Sequence, residues 1–214
     1  MSLFGLFSRG GSAVAPPPVK FDVPTSLPKL VNGPDPAALQ SMLNEGKVVE
    51  GVTKLSETLP ETDGVRWAAD SSDMVKAAQT APDQAATDAA RKWLAAPTGE
   101  NQVAAAQAAN AAGHQGPGAW AAQAAAWAAP AAAVGAALAA PGALVSQAVK
   151  GSVMLAAAMS KPGFDLPQQV KAAAEQADSA LAAGAPVPAV PTPELASTYK
   201  PFLDRGLAIA SGKG

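Results

Sequence analysis

The sequence predicts an all-α protein, a compact irregular helical bundle of about seven to nine helices preceded by a proline-rich arm. Alanine supplies 54 of the 214 residues, and alanine has the most favourable intrinsic helix propensity. The 20 prolines and 19 glycines fall largely between apolar stripes of helical period, where they separate one helix from the next. No segment alternates between apolar and polar residues for long enough to indicate a strand.

Three ranges organise the chain. Residues 1–9 form an apolar amino-terminal peptide, residues 10–34 a linker rich in glycine and proline, and residues 35–212 a helical domain. The proline spacing in the linker excludes any helix of useful length. The domain is long enough to bury a core without a disulfide or a metal.

Local signals place the helices of the domain. Asp35 can cap a first helix whose first residue is Pro36. A second helix follows Gly46 and ends at Pro60, and Thr98 caps another. The helix capped by Thr98 ends at Gly113, and further helices are predicted over 65–79, 81–97 and 168–183. Three more are expected: one that begins near Pro117, one that carries Leu144 to Met159, and one that carries Leu195 to Ile209.

The helix predicted after Pro141 carries the longest apolar stripe. Its members follow one another at helical spacing, and they are Leu144, Val145, Ala148, Ser152, Leu155 and Met159. Val149 and Val153 widen the stripe. This stripe predicts a central helix with Leu155 in the core.

Composition argues against several classes of function. The chain has no cysteine and one imidazole, that of His114, so the usual soft ligands of zinc, iron–sulfur clusters and haem are missing and no cofactor is expected. A net charge of −2 gives no broad basic surface, so nucleic acid is not an expected partner.

Membrane contact is also not expected. The stretch from Glu100 to Lys150 has no charged residue between its ends, but it is mostly alanine broken by amides and prolines, without the leucine density of a spanning helix. Residues 1–9 have no basic region before a short apolar run, so they do not resemble a secretory signal. We therefore expect the chain in the cytoplasm.

His114 lies in a glycine-rich stretch between two predicted helices. A lone histidine there could act as a general base or contact a phosphate. The surrounding residues instead favour an interhelical turn, in which Gly113 ends one helix and Pro117 begins the next. A phosphate-binding loop would require a preceding strand and a following Lys-Ser or Lys-Thr, and the sequence has neither.

Carboxylates and tryptophans are the other candidate functional groups. The carboxylates that could pair as acid and base are Glu57, Glu61, Asp63, Asp70 and Asp73. They fall in polar segments, where we expect them to be solvated or to cap helices. The tryptophans could stack on bases or sugars, but in an alanine-rich bundle they are expected to fill gaps between helices; they are Trp67, Trp93, Trp120 and Trp127.

The amino-terminal peptide is the strongest candidate for partner binding. Leu3, Phe4, Leu6 and Phe7 place two of the five phenylalanines of the chain within seven residues. The peptide is too short to cross a bilayer and too apolar for a solvated tail. It is predicted to dock into an apolar groove of a partner protein or of its own chain. The alternative is a frayed terminus that contacts nothing.

Four segments carry a resemblance that covers roughly residues 60–212. They are Val65-Arg66-Trp67-Ala68, Trp93-Leu94-Ala95-Ala96-Pro97, Ala148-Val149-Lys150-Gly151-Ser152-Val153-Met154-Leu155-Ala156-Ala157, and Tyr199-Lys200-Pro201-Phe202-Leu203-Asp204-Arg205-Gly206-Leu207-Ala208-Ile209-Ala210-Ser211-Gly212. The pattern resembles an uncharacterised alanine-rich bacterial family met in type VI secretion gene neighbourhoods. Pro201 departs from it, and it predicts that the last helix begins or kinks there.

The resemblance implies a non-enzymatic accessory or adaptor protein of a contractile secretion system, one that binds an apparatus component or an effector. It supplies no catalytic residues. An enzyme or toxin domain with an unrecognised site is the alternative, and a cleft with several perturbed titratable groups would favour it.

Overall fold

A computed structural model describes residues 18–30, 33, 35–128, 142–161 and 192–214 of the chain. Its α-helices are Pro36–Asn44 (α1), Val48–Thr58 (α2), Glu61–Met74 (α3), Ala81–Ala95 (α4), Gly99–Ala111 (α5), Pro117–Trp127 (α6), Gly142–Met159 (α7) and Thr192–Ala210 (α8). These ranges include no strand, so the predicted all-α bundle is confirmed. The helix predicted over 168–183 lies outside the described residues.

Side-chain caps begin three of the helices, two of them where the sequence predicted. The Ala37 amide donates a hydrogen bond to Asp35 at the start of α1, and the Asn101 amide donates to Thr98 at the start of α5. Thr80 accepts in the same way at the start of α4. These bonds satisfy amides that have no partner within their own helix.

Helix α6 lies at the centre of the bundle. Nine of its 11 residues are buried, most of them alanine, and it packs against α3, α4, α5 and α7. The sequence predicted that α7 would be the central helix. Helix α7 does contact α2, α3, α6 and α8, but one of its sides faces away from the bundle. Because alanine occurs on every side of α6, the sequence pattern does not mark one side as buried. The small side chains nevertheless allow four neighbouring helices to approach closely.

Polar side chains fix α6 to its neighbours. The Gln102 side chain, buried in α5, donates hydrogen bonds to the carbonyl oxygens of Ala126 and Ala128 at the carboxyl end of α6. The Ser152 hydroxyl of α7 lies 2.7 Å from the carbonyl oxygen of Pro117 and 3.2 Å from that of Ala68. The last carbonyl groups of α6, which have no partner within their own helix, therefore find one on α5, and Ser152 links the start of α6 to α7.

The buried side of α7 matches the predicted stripe in part. Val145, Ala148 and Ser152 of the stripe are buried, as are Val149 and Val153 beside it. Leu144 is 43% exposed and Leu155 is half-buried, so the stripe is wrong at these two positions. Because α7 is apolar on nearly all sides, its sequence did not single out the side that packs against α3 and α6.

Helix α8 continues through Pro201, so of the two alternatives, a helix that begins at Pro201 or one that kinks there, the first is wrong. Proline removes one helical hydrogen bond and destabilises a helix interior by about 3 kcal/mol. Burial of Tyr199, Phe202 and Leu203 around it favours the continuous helix. The indole Nε1 of Trp67 also donates a 2.8 Å hydrogen bond to the carbonyl oxygen of Phe202, which fixes α8 on α3.

Part of the range assigned to a linker packs on the bundle. Within residues 18–30, Phe21 and Val23 belong to the core. The Gln40 side chain of α1 donates to the carbonyl oxygen of Phe21 and accepts from the Val23 amide, each at 2.9 Å. This segment therefore packs on the bundle without forming a helix, because prolines exclude a helix but permit an extended segment with buried side chains.

An ion-pair cluster joins α3, α4 and α8. The carboxylate of Asp70 lies 2.6 Å from a guanidinium nitrogen of Arg91 and 2.7 Å from Nε of Arg205. Asp73 also pairs with Arg91. The i, i+4 spacing of Arg66 and Asp70 would allow an ion pair along α3, but Nε of Arg66 lies 3.9 Å from Oδ1 of Asp63 instead. Asp70 instead pairs across helices with Arg91 and Arg205, and its side chain is only 11% exposed.

Asp70→Asn is expected to lower the free energy of unfolding by about 2 kcal/mol, since a charge-assisted hydrogen bond contributes roughly this amount and Arg205 would lose its partner. Asp73→Asn is the matched control, because its side chain is 38% exposed and an exposed pair contributes about 1 kcal/mol or less. Urea unfolding of the two variants measures the difference. Equal losses in both would show that Asp70 does not hold the three helices together.

Candidate functional site

The outward side of α7 is the candidate functional site. At helical spacing, it presents Leu144, Gln147, Gly151, Met154 and Leu155, which we call the α7 face. Leu144 and Gln147 are exposed and the other three are half-buried. The neighbouring charged side chain on this helix is Lys150, and residues 101–149 of the chain include no charged residue.

Trp120 extends the α7 face across to α6. Its ring is half-buried and lies against Gly151, where a Cβ would stand 3.5 Å from the ring carbon Cδ2. The indole Nε1 donates a 3.0 Å hydrogen bond to the carbonyl oxygen of His114, which fixes the ring orientation. Trp127, seven residues later on the same side of α6, is also half-buried. Aromatic residues and methionine with few charges are typical of the core of a protein interface.

His114 serves as a structural residue in the turn between α5 and α6, which confirms the predicted turn. Its backbone φ is 56°, in the left-handed region that is uncommon for a side-chain-bearing residue. The ring Nε2 lies 2.8 Å from Oε1 of Gln123, and the ring meets Trp120 edge-on at 5.7 Å between centroids. The imidazole therefore supports Trp120.

The predicted partner-binding residues Leu3, Phe4, Leu6 and Phe7 lie outside the described residues. The chain that follows them contacts the bundle at Phe21. Phe21 lies under the ammonium group of Lys200 on α8, 5.3 Å from its ring centroid.

The predicted acid–base carboxylates are not brought together as a pair in a cleft. Glu57 pairs with Lys54 on an exposed surface, and Asp63 lies between Lys29 and Arg66. Asp70 and Asp73 belong to the ion-pair cluster described above. Glu61 stands beside Gly142 at the start of α7.

Asp83 is a buried carboxylate that the sequence indicated only as part of a helix start. It is 3% exposed, and its Oδ1 accepts a 2.7 Å hydrogen bond from the amide of Ala119 in the first turn of α6. It therefore caps α6 from α4. A Cβ at Gly118 would overlap the carbonyl oxygen of Asp83, so glycine permits this close approach.

Burial raises the pKa of the Asp83 carboxyl above its ordinary value, while hydrogen bonds from the Ala119 and Gly118 amides oppose that rise. A carboxylate at a helix amino terminus is favoured by the helix dipole, but here loss of hydration has the larger effect. Since Asp83 faces buried backbone and Thr87 rather than an open cleft, we assign it a structural role.

Two further features concern metal and membrane. Within the ranges that the structure covers, no group of three or more histidine or acidic side chains is arranged to hold a metal ion. One described helix, α7, has the length and apolar composition of a membrane span, and 44% of it is buried in the bundle.

Comparison with known proteins gives one match. A family model described as a family of unknown function, DUF6931, matches residues 38–177, which is more than half of the chain. The matched range contains the α7 face and ends before α8 begins. No curated protein and no solved structure matches the chain.

The raised pKa of Asp83 predicts a pH-dependent effect of Asp83→Asn. Because the folded state favours the protonated form, the contribution of Asp83 to stability is greatest below the ordinary value of 3.8 and is lost as pH rises through the folded pKa. The asparagine variant should therefore gain stability relative to the original protein between about pH 4 and pH 7. Urea unfolding of both proteins at the two pH values measures this change.

Asp88→Asn provides the control for loss of one carboxylate charge on the same helix, since the Asp88 side chain is 62% exposed and an exposed pair contributes about 1 kcal/mol or less to stability. If Asp83→Asn instead loses stability relative to the original protein as pH rises, the α6 amino terminus stabilises the carboxylate anion more than burial opposes it.

Proposed function

We propose that this chain, which belongs to the family of unknown function DUF6931, is a non-enzymatic accessory or adaptor protein of a bacterial type VI, contractile, secretion system. In this role it binds an apparatus component or an effector in the cytoplasm. The resemblance of its four segments to proteins from type VI gene neighbourhoods supports the choice of system. The uncharged α7 face supports the choice of a binding role.

The α7 face suits a partner segment with an apolar side. Leu144 is 43% exposed, and Met154 and Leu155 continue the apolar surface along the helix. Trp120 is held by His114 and by Gly151, so its ring is already ordered before a partner arrives. Ordered aromatic side chains lose little conformational entropy on binding, which makes them effective anchors in protein interfaces.

The amino-terminal peptide is the second contact in this proposal. Leu3, Phe4, Leu6 and Phe7 would insert into an apolar groove of the partner. The arm joins the bundle at Phe21 and Val23, so the peptide starts from a defined point beside α1 and α8. Two linked contacts can bind much more tightly than either one alone.

The partner's identity tests the proposed system. The tagged full-length chain, produced in a bacterium that encodes it and stabilised by chemical cross-linking, should recover a sheath, baseplate or membrane-complex component or an effector, identified by mass spectrometry. Deletion of the gene should reduce secretion through the apparatus. Recovered partners unrelated to the apparatus, together with normal secretion in the deletion strain, would contradict the proposal.

Leu144→Glu tests the α7 face as the binding surface. A glutamate there should weaken capture of the identified partner by about tenfold or more, since a charge would have to be desolvated in the interface. Val103→Glu on α5 is the matched control, because Val103 is also 43% exposed. Both variants should keep the melting temperature of the original protein. Equal weakening by both, or by neither, would exclude the α7 face.

A further inference from the structure

We propose that in the free protein the amino-terminal peptide, through Leu3, Phe4, Leu6 and Phe7, docks on the α7 face of the same chain. The inference rests on the proposed function only in treating the α7 face as a docking surface. It adds a regulatory contact, in which each binding element of the adaptor covers the other until a partner arrives.

The chemistry of the two surfaces matches. Within residues 1–9, the large apolar side chains are those of Met1, Leu3, Phe4, Leu6 and Phe7, and the one charged side chain is that of Arg9. The α7 face offers Leu144, Met154 and Leu155 beside the ring of Trp120. Leu144 is 43% exposed on the α7 face, so covering it with apolar side chains of the peptide is favourable. The nearest charge on α7, Lys150, lies at the edge of the face.

The connection between them is long enough. The chain is fixed on the bundle from Val19 onward, where it packs beside α1 and α8, and α7 packs directly against α8. Packed helices lie about 8–10 Å apart, so the α7 face is roughly two helix spacings, or about 20 Å, from this point. Residues 8–17 can span about 35 Å when extended.

The short connection also favours docking of the peptide within its own chain over docking on a second chain. A tether of this length holds the peptide at an effective concentration on the order of millimolar near the bundle. A modest intrinsic affinity is then sufficient for occupancy, and a partner that binds either surface more tightly can displace the contact. The peptide would thus restrict the adaptor to partners that bind one of the two surfaces more tightly than the surfaces bind each other.

Disulfide trapping in the purified full-length chain tests this contact without any partner. Because the chain has no native cysteine, only the two introduced thiols can react. The Gly5→Cys, Gln147→Cys protein places one thiol in the peptide and one on the α7 face. The control protein carries Gly5→Cys with Glu57→Cys, which lies exposed on α2, a helix that also packs against α8.

Under mild oxidation, we expect the disulfide to Gln147→Cys to form within one chain at least about tenfold faster than the disulfide to Glu57→Cys, because docking raises the local thiol concentration. Replacing Leu3, Phe4, Leu6 and Phe7 by serine should make the two rates equal. Equal rates in the proteins with the original peptide would overturn the proposal, as would disulfide-linked dimers as the main product. Because no partner is present, these results do not depend on whether the proposed secretion function is correct.

Discussion

The close approach of four helices to α6 is the constraint on which the rest of the structure depends. Alanines such as Ala122 and Ala125 are fully buried and leave room for neighbouring backbones. Such a helix brings little apolar volume of its own, so its ends and sides are fixed by polar contacts instead. Asp83 caps its first turn, Gln102 satisfies its last carbonyl groups, and Ser152 bonds to Pro117.

This packing also determines where the large apolar side chains go. Little space remains beside α6 for leucine or methionine, so α7 turns its valines, alanines and serines inward and keeps Leu144, Met154 and Leu155 toward solvent. Trp67 fills the junction of α3 and α8, where its ring lies against Gly206 and its indole Nε1 donates to the carbonyl oxygen of Phe202. The apolar α7 face is therefore a consequence of how the centre is packed, and the proposed function uses that face.

Local signals in the sequence predicted the fold class and most helix boundaries, because a cap such as Thr98 or a closing proline such as Pro60 acts through its own neighbours in the chain. The orientation of the helices could not be predicted in the same way. A helix of alanine is apolar on every side, so periodicity does not say which side is buried. Asp83 and Arg205 find their partners across helices, which no spacing along the chain reveals.

The most direct test of the central claim is the stability of Ala122→Leu measured against Ala104→Leu by urea unfolding. Ala122 is fully buried in α6, while Ala104 is exposed on α5. If close packing around α6 holds the bundle together, Ala122→Leu should lower the free energy of unfolding by about 1–3 kcal/mol through overpacking, and Ala104→Leu should change it by about 0.5 kcal/mol or less. Equal stability of Ala122→Leu and the original protein would contradict a tightly packed centre.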